Sequence, residues 1–422
     1  MSDKFSFFQF LINRDLWWIF PTVFGVGTVL FSSLYLVARS PFTSLKKIFY
    51  IPARKSITNA VQLGGLPLSL SIISGIFLIY NHKYFHSFFS EFDYYSIKYW
   101  LLSSCIIVLY GYFDDRFELR PMVKLFLQLS CIGLFAVLES RVLFPKWGAL
   151  AFMVISFWGL GVLNGSNLLD GLDTLTIKLG GVTYFSFLII AYNFSIPSAT
   201  IGSLVGLSAL ASFYFFNKEP AKIHLGEIGG SFIGFTSLLF SCFVYSFLTR
   251  IKVGQPDALA MSLMPLSLPM VELGVSFLRR LYTRKSPFKG DRFHLHHILR
   301  NYYNFSPSNA SSVYALGYAS IMGIGFSITH YFGPILGLVS SIGLLTSGYI
   351  AIGLKHWESE DTLNLRPNAL FVYLLKKDIG VISSIEVDDF QIQIIGKEEA
   401  DLLDLEHSDE KESSHDSGKK AA

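Results

Sequence analysis

The sequence predicts an all-α polytopic membrane protein with about eleven transmembrane helices. Three observations lead there. Of 422 residues, 51% are hydrophobic and only 15% charged, where soluble domains carry about 25% charged residues. The apolar residues fall in runs of roughly twenty, the length that crosses a bilayer core. Backbone polar groups find no water in lipid, so spans are helices or closed barrels, and no alternating ten-residue pattern marks a barrel. The 40 phenylalanines suit helix faces turned to lipid.

The spans are expected, in order, near 16–38, 64–81, 97–112, 122–140, 149–165, 175–194, 197–216, 230–248, 256–279, 311–330 and 332–354. The first run is too long for a signal-peptide core and reads as a retained helix. The fourth carries Lys124, Gln128 and Glu139, and the ninth carries Glu272, so these two are the least apolar. Arg39, Lys46, Lys47, Arg54 and Lys55 lie in one loop without an acid, and the segment from Arg279 to Arg300 is also strongly basic. With eleven spans both loops and the C-terminus share one side. The positive-inside rule makes that side cytoplasmic and puts the N-terminus outside. A membrane domain over 1–354 is then followed by a partly ordered cytoplasmic extension over 355–396, with a strand-like stretch from Val381 to Ile395. A disordered acidic and polar tail over 397–422 ends the chain.

The net charge of +3 gives no footprint for nucleic acid. Cys105, Cys131 and Cys242 lie inside apolar runs without metal-like spacing and read as buried thiols. Ionisable residues beside membrane spans are expensive, and their clusters are therefore the site candidates. Four clusters stand at helix ends of the cytoplasmic side.

Asp114 and Asp115 end the third span, with Lys124 and Gln128 following. Adjacent carboxylates repel unless a cation or bases face them, and Mg²⁺ takes a few carboxylates together with phosphate oxygens and water; a solvated turn that caps the next helix is the plain alternative. Asn164, Asn167, Asp170 and Asp173 recur every third position after the fifth span, and Gly165 and Gly171 suggest a helix break that would let these groups converge; a capped inter-helix loop is the plain alternative. His224, Gly226, Glu227, Gly229, Gly230 and Ser231 precede the eighth span. Free N–H groups at a helix start suit a phosphate, Glu227 is a candidate metal ligand, and small-residue helix packing is the alternative. Lys289, Arg292, His294, His296 and His297 form a basic, histidine-rich loop. That loop suits a diphosphate, or serves only as a positive-inside signal at lipid headgroups. Carboxylates for a metal, glycines and bases for phosphates, and a membrane face together suit phosphoryl transfer between a soluble nucleotide and a lipid.

These clusters resemble the polyprenyl-phosphate N-acetylhexosamine-1-phosphate transferases, from about Gly64 to Leu299. The Asn164-x-x-Asn167-x-x-Asp170-Gly171-Leu172-Asp173 run is the most specific likeness, and Ser286-Pro-Phe with His294-Leu-His296-His297 is similar to the histidine loop of the initiating branch, which starts cell-envelope polysaccharides. The resemblance implies an enzyme of the bacterial inner membrane that makes polyprenyl-diphosphate-sugar and UMP from a UDP-sugar, first of all UDP-GlcNAc, and polyprenyl (undecaprenyl) phosphate. Mg²⁺ is the implied cofactor, with Mn²⁺ as the more permissive substitute. It implies Asp114, Asp115 and Asp173 as catalytic residues, Glu227 and Asp115 as metal partners, and Lys124, Asn164, Asn167, Asp170, Lys289, Arg292, His294, His296 and His297 as substrate contacts. Expected partners are the two substrates and the membrane, with a homodimer left open. A transporter and a catalytically weak scaffold relative are the rival classes. Glu227 and Glu272 stand where the family carries Asp, and Gly230 stands where it carries Ser. On that likeness, Asp at position 227 is expected to keep or raise Mg²⁺-dependent activity.

Overall fold

The computed structural model describes residues 18–39, 49–51, 60–81, 89–282, 293–357, 382–387 and 392–396. The membrane unit is all-α. Its helices are α1 (Ile19–Arg39), α2 (Gly65–Tyr80), α3 (Glu91–Phe117), α4 (Pro121–Leu143), α5 (Ala149–Leu168), α6 (Leu175–Phe194) and α7 (Pro197–Asn217). Next come α8 (Gly226–Arg250), α9 (Gln255–Leu263), α10 (Ser267–Tyr282), α11 (Leu295–Asn301), α12 (Pro307–Phe332) and α13 (Pro334–Trp357). Among the described residues, 10 helical stretches are long and apolar enough to cross a membrane, and α2 is a shorter apolar helix of 16 residues. Ten of the eleven expected spans are thus matched by helices of spanning length, the expected second span being the short α2, and the chain is a multi-span membrane protein.

The expected ninth span is broken. A 3₁₀ turn, Met264–Leu266, joins α9 to α10. Pro269 has no N–H to give to the carbonyl of Pro265 four residues back, and its ring crowds that carbonyl. The Tyr318 hydroxyl of α12 donates to Pro265 O at 2.8 Å instead. In lipid a helix break needs such a neighbouring donor.

α8 is the central post. Nine-tenths of its apolar window is buried, and it packs on α2, α3, α4, α5, α6, α7 and α9. Lipid is as apolar as the side chains, so packing rather than water release holds such a post. Phe235 of α8 lies between Trp100 of α3, stacked with centroids 6.5 Å apart, and Phe135 of α4, edge-on at 5.2 Å. Each such ring pair contributes about 0.5–1.5 kcal/mol beyond its buried area. Exposed apolar side chains such as Leu36, Leu109, Phe126, Phe157, Leu316 and Val339 cover the outer faces. The polar residues of the fourth span do not meet lipid: Gln128 and Glu139 are buried.

In the second unit, β1 (Ile382–Val387) and β2 (Ile392–Gly396) pair antiparallel, with Val387 opposite Ile392. The strand-like stretch is thus a hairpin. The tail over 397–422 lies outside the described residues.

Candidate active site

The chain reverses at each helix, so α3, α5 and α7 end where α4, α6 and α8 begin. The first three clusters meet at that end of the bundle. Residues 61–65 lay the floor: Val61 forms a parallel bridge with Ile223, Gly64 N donates to His224 O at 2.8 Å, and Gly65 N donates to Leu225 O at 2.7 Å. The Gly64–Gly65 pair thereby fixes the segment that leads into α8.

Glu227, in the first turn of α8, is the hub. Lys124 Nζ of α4 lies 2.6 Å from its Oε2, and Asn167 Nδ2 of α5 donates to the same oxygen at 2.6 Å. Ser231 Oγ, one turn further along α8, donates to Oε1 at 3.1 Å. Lys124 also lies 3.4 Å from Asp114 Oδ2, so one ammonium bridges two carboxylates. Asp114 is half-buried, and its Oδ1 accepts the N–H of Leu119 at 3.0 Å.

The neighbouring Asp115 does something else. Its two oxygens accept the Glu227 N–H at 3.0 and 3.1 Å, and Gln62 Nε2 donates to Oδ1 at 3.0 Å. The first N–H groups of a helix have no partner within it, and an anion there is stabilised by the helix dipole. Asp115 therefore holds the start of α8 and the backbone of the hub. Gln62, which supports it, carries no motif and was not singled out from the sequence; the two lie 53 residues apart.

The second cluster divides as well. Asn164 exchanges amide hydrogen bonds with Gln128 at 3.1 and 3.2 Å and also donates to Leu160 O, which commits it to the α4–α5 contact. Asn167 faces Glu227. A Cβ on Gly230 would come within 2.7 Å of Asn167 Oδ1, so glycine at 230 lets Asn167 approach while Ser231 supplies the hydroxyl. Asp173 accepts the Ala221 N–H at 3.1 Å and lies 3.6 Å from His224 Nδ1. Burial raises the Asp173 carboxyl above its usual range against the pull of His224, and burial holds His224 below its own range.

Asp170 accepts the Thr176 hydroxyl at 2.9 Å. Burial pushes its carboxyl up to about 7, opposed by that hydrogen bond and reinforced by the charge of Glu227. The ordinary value is 3.8, so folding favours the protonated acid. Its contribution to stability is full below the unfolded value and is lost as pH rises through about 7. Asp170→Asn is expected to flatten the fall in melting temperature that the wild type shows across that window. Two identical pH profiles would remove Asp170 as the source.

Lys289 and Arg292 lie outside the described residues. The three histidines lie together, with the His296 and His297 rings 4.2 Å apart and those of His294 and His296 stacked at 5.7 Å. His296 is fully buried, and a Cβ on Gly171 would overlap its Nε2, so the histidine run abuts the Asp170–Asp173 segment. Burial and the two neighbouring imidazoles hold His296 well below its usual range. That environment favours the neutral ring, packed against the segment. His294 Nδ1 lies 2.7 Å from Glu272 Oε1.

The donor set suits a hard cation. Glu227, Asp114 and the Asn167 amide offer oxygen without thiolate, and Lys124 already places a positive charge between the two carboxylates. Among the described residues no three acidic or imidazole side chains converge as a metal cage. Mg²⁺ is held in this way, by one or two carboxylates with the rest of its shell from phosphates and water. An Asp at 227 would not serve this site as well as the Glu does. Its carboxylate would withdraw by about one C–C bond from two contacts of 2.6 Å. Glu227→Asp is expected to lower turnover about tenfold or more. Full activity in that variant would show that the site does not depend on the longer reach.

Comparisons with known proteins match the same region of the chain. Residues 97–245 match the model of glycosyl transferase family 4, a span that includes Asp114, Asp115, Lys124, the Asn164–Asp173 run and Glu227. A probable undecaprenyl-phosphate N-acetylglucosaminyl 1-phosphate transferase of Bacillus subtilis is 23% identical over 282 residues, which cover 63% of this chain and 74% of that protein. The undecaprenyl-phosphate alpha-N-acetylglucosaminyl 1-phosphate transferase of Thermotoga maritima is 31% identical over 203 residues, covering 47% and 60%. The enzyme of that name from Escherichia coli is 24% identical over 250 residues, covering 55% and 66%. The region of the chain that is similar to glycosyl transferase family 4 thus holds the hub and both aspartate clusters.

Proposed function

We propose that the protein transfers N-acetylhexosamine-1-phosphate from a UDP-sugar, UDP-GlcNAc first, to undecaprenyl phosphate and releases UMP, on the cytoplasmic face of a bacterial inner membrane. The observation that carries this is the convergence of Glu227, Lys124, Asp114 and Asn167 at one end of the bundle. The names of the relatives support the lipid and the sugar phosphate.

In this reading an oxygen of the lipid phosphate attacks the phosphorus that bears the sugar. One P–O bond forms there, the bond to the bridging oxygen of the UMP phosphate breaks, and UMP leaves with that oxygen. Asp114, half-buried beside Lys124, orients the lipid phosphate and takes its proton where one is present. Lys124 neutralises phosphate charge. Glu227 and Asn167, with Asp114 at the edge, are the groups that would hold Mg²⁺, or Mn²⁺ in its place. Such an ion supplies charge neutralisation for the diphosphate. Asp173 and Asp170 face the nucleotide side, and the histidine run closes the site against them.

The test is UMP release by the purified protein with UDP-GlcNAc, undecaprenyl phosphate and Mg²⁺ or Mn²⁺. Release that requires lipid and metal is the expected result. Folded protein that releases no UMP from UDP-GlcNAc, UDP-GalNAc or other UDP-sugars would instead identify a non-catalytic relative.

A further inference from the structure

We infer that Glu272 is a positioning residue of this site, which acts through His294 to set the histidine run against the Asp170–Asp173 segment; the inference rests on the transferase reading. Glu272 lies on α10, fully buried. A buried carboxylate without partners costs several kcal/mol. Glu272 is saturated from three separate segments. His294 Nδ1, at the start of α11, lies 2.7 Å from Oε1. The Tyr314 hydroxyl of α12 donates to Oε2 at 2.7 Å. The Tyr349 hydroxyl of α13 lies 3.2 Å from Oε1 and 3.3 Å from the carbonyl of Phe293, the residue before His294. Ser276, one turn along α10, puts its Oγ 3.3 Å from His294 Nδ1.

The consequence reaches the site through rigid contacts. Donation from Nδ1 to the carboxylate fixes the orientation of the His294 ring and makes Nε2 its other functional atom. The His294 ring stacks on His296 with an interplanar angle of 11°. His296 in turn abuts Gly171, where no side chain leaves it room. A shift of His294 therefore moves the contact between the histidine run and the segment that carries Asp170 and Asp173. Tyr314 serves a different purpose: it satisfies the far oxygen of the carboxylate, Oε2, away from His294.

The experiment is a double-mutant cycle on the full chain, with Glu272→Gln, His294→Asn and the pair, read as kcat and KM for UDP-GlcNAc in UMP release. Glu272→Asp is measured beside them, because it keeps the charge that the tyrosines require while withdrawing the oxygen from Nδ1. Glu272→Gln and Glu272→Asp are each expected to raise KM about tenfold in the wild-type background and to change it little once His294 is Asn. Tyr314→Phe is expected to lower the melting temperature and leave KM in place. Effects of Glu272 that multiply fully with those of His294→Asn would overturn the inference, as would a Tyr314→Phe variant that raises KM as much as Glu272→Gln. A wild type without UMP release counts against the transferase reading instead. The same cycle, read as the rise in melting temperature caused by UDP-GlcNAc, then decides the role of Glu272 separately.

Discussion

Glu227→Gln is expected to lower turnover by about 10²–10³-fold or more while the protein still folds, the range lost when a preorganised electrostatic group is removed. The substitution keeps shape and removes charge. Gln keeps one oxygen to accept from Asn167, and its amide N–H can donate to the Ser231 hydroxyl, so the packing of α4, α5 and α8 around position 227 survives. What disappears is the anion at 2.6 Å from the Lys124 ammonium. Lys124 is then left with Asp114 at 3.4 Å as its carboxylate partner. That pair closes, and it takes from Asp114 the freedom to meet the lipid phosphate. Charge at the place of the proposed metal is lost at the same time, so neither Mg²⁺ nor Mn²⁺ restores the rate. The measurement is UMP release beside a thermal unfolding scan. A variant that unfolds near the wild-type temperature and retains turnover within about threefold would take Glu227 out of the chemistry.

The fold was legible because span length is dictated by the bilayer, and every run of sufficient length became a helix. The polar residues that made the fourth span look doubtful have an internal explanation: Lys124 reaches the hub, Gln128 pairs with Asn164, and Glu139 is buried within the bundle. The break in the ninth span was written in Pro265 and Pro269, yet its toleration depended on Tyr318, a residue no local pattern connects to it. The candidate site was legible as a set of residue types and much less as a set of roles. Asn164 and Asn167 look equivalent in a three-residue period, but one joins two helices and the other meets Glu227. Asp114 and Asp115 are adjacent in sequence and point to different tasks, because successive positions on a helix face different directions. Gln62, Tyr314 and Tyr349 could not be found at all, since each acts on a partner 42 to 77 residues away.

The aspartate pair gives the second large effect. Asp114→Asn is expected to lower turnover by about a thousandfold or more with the melting temperature nearly unchanged, as for other residues whose role is made in the transition state. Asn keeps an oxygen to accept the Leu119 N–H, so the end of α3 stays capped. It removes the charge that faces Lys124 and the only atom at that position able to take a proton from the lipid phosphate. Asp115→Asn acts in the reverse order. One of the two oxygens that accept the Glu227 N–H becomes a donor, and the buried start of α8 loses its anion. A lost charged hydrogen bond at such a buried group costs about 1.5–3 kcal/mol, so the melting temperature falls first. Turnover falls with it because Glu227 is carried on that same turn of helix. Melting curves and initial rates on the two variants separate these roles. A stable, inactive Asp115→Asn together with an unstable Asp114→Asn would exchange them, and the first carboxylate would then be the scaffold.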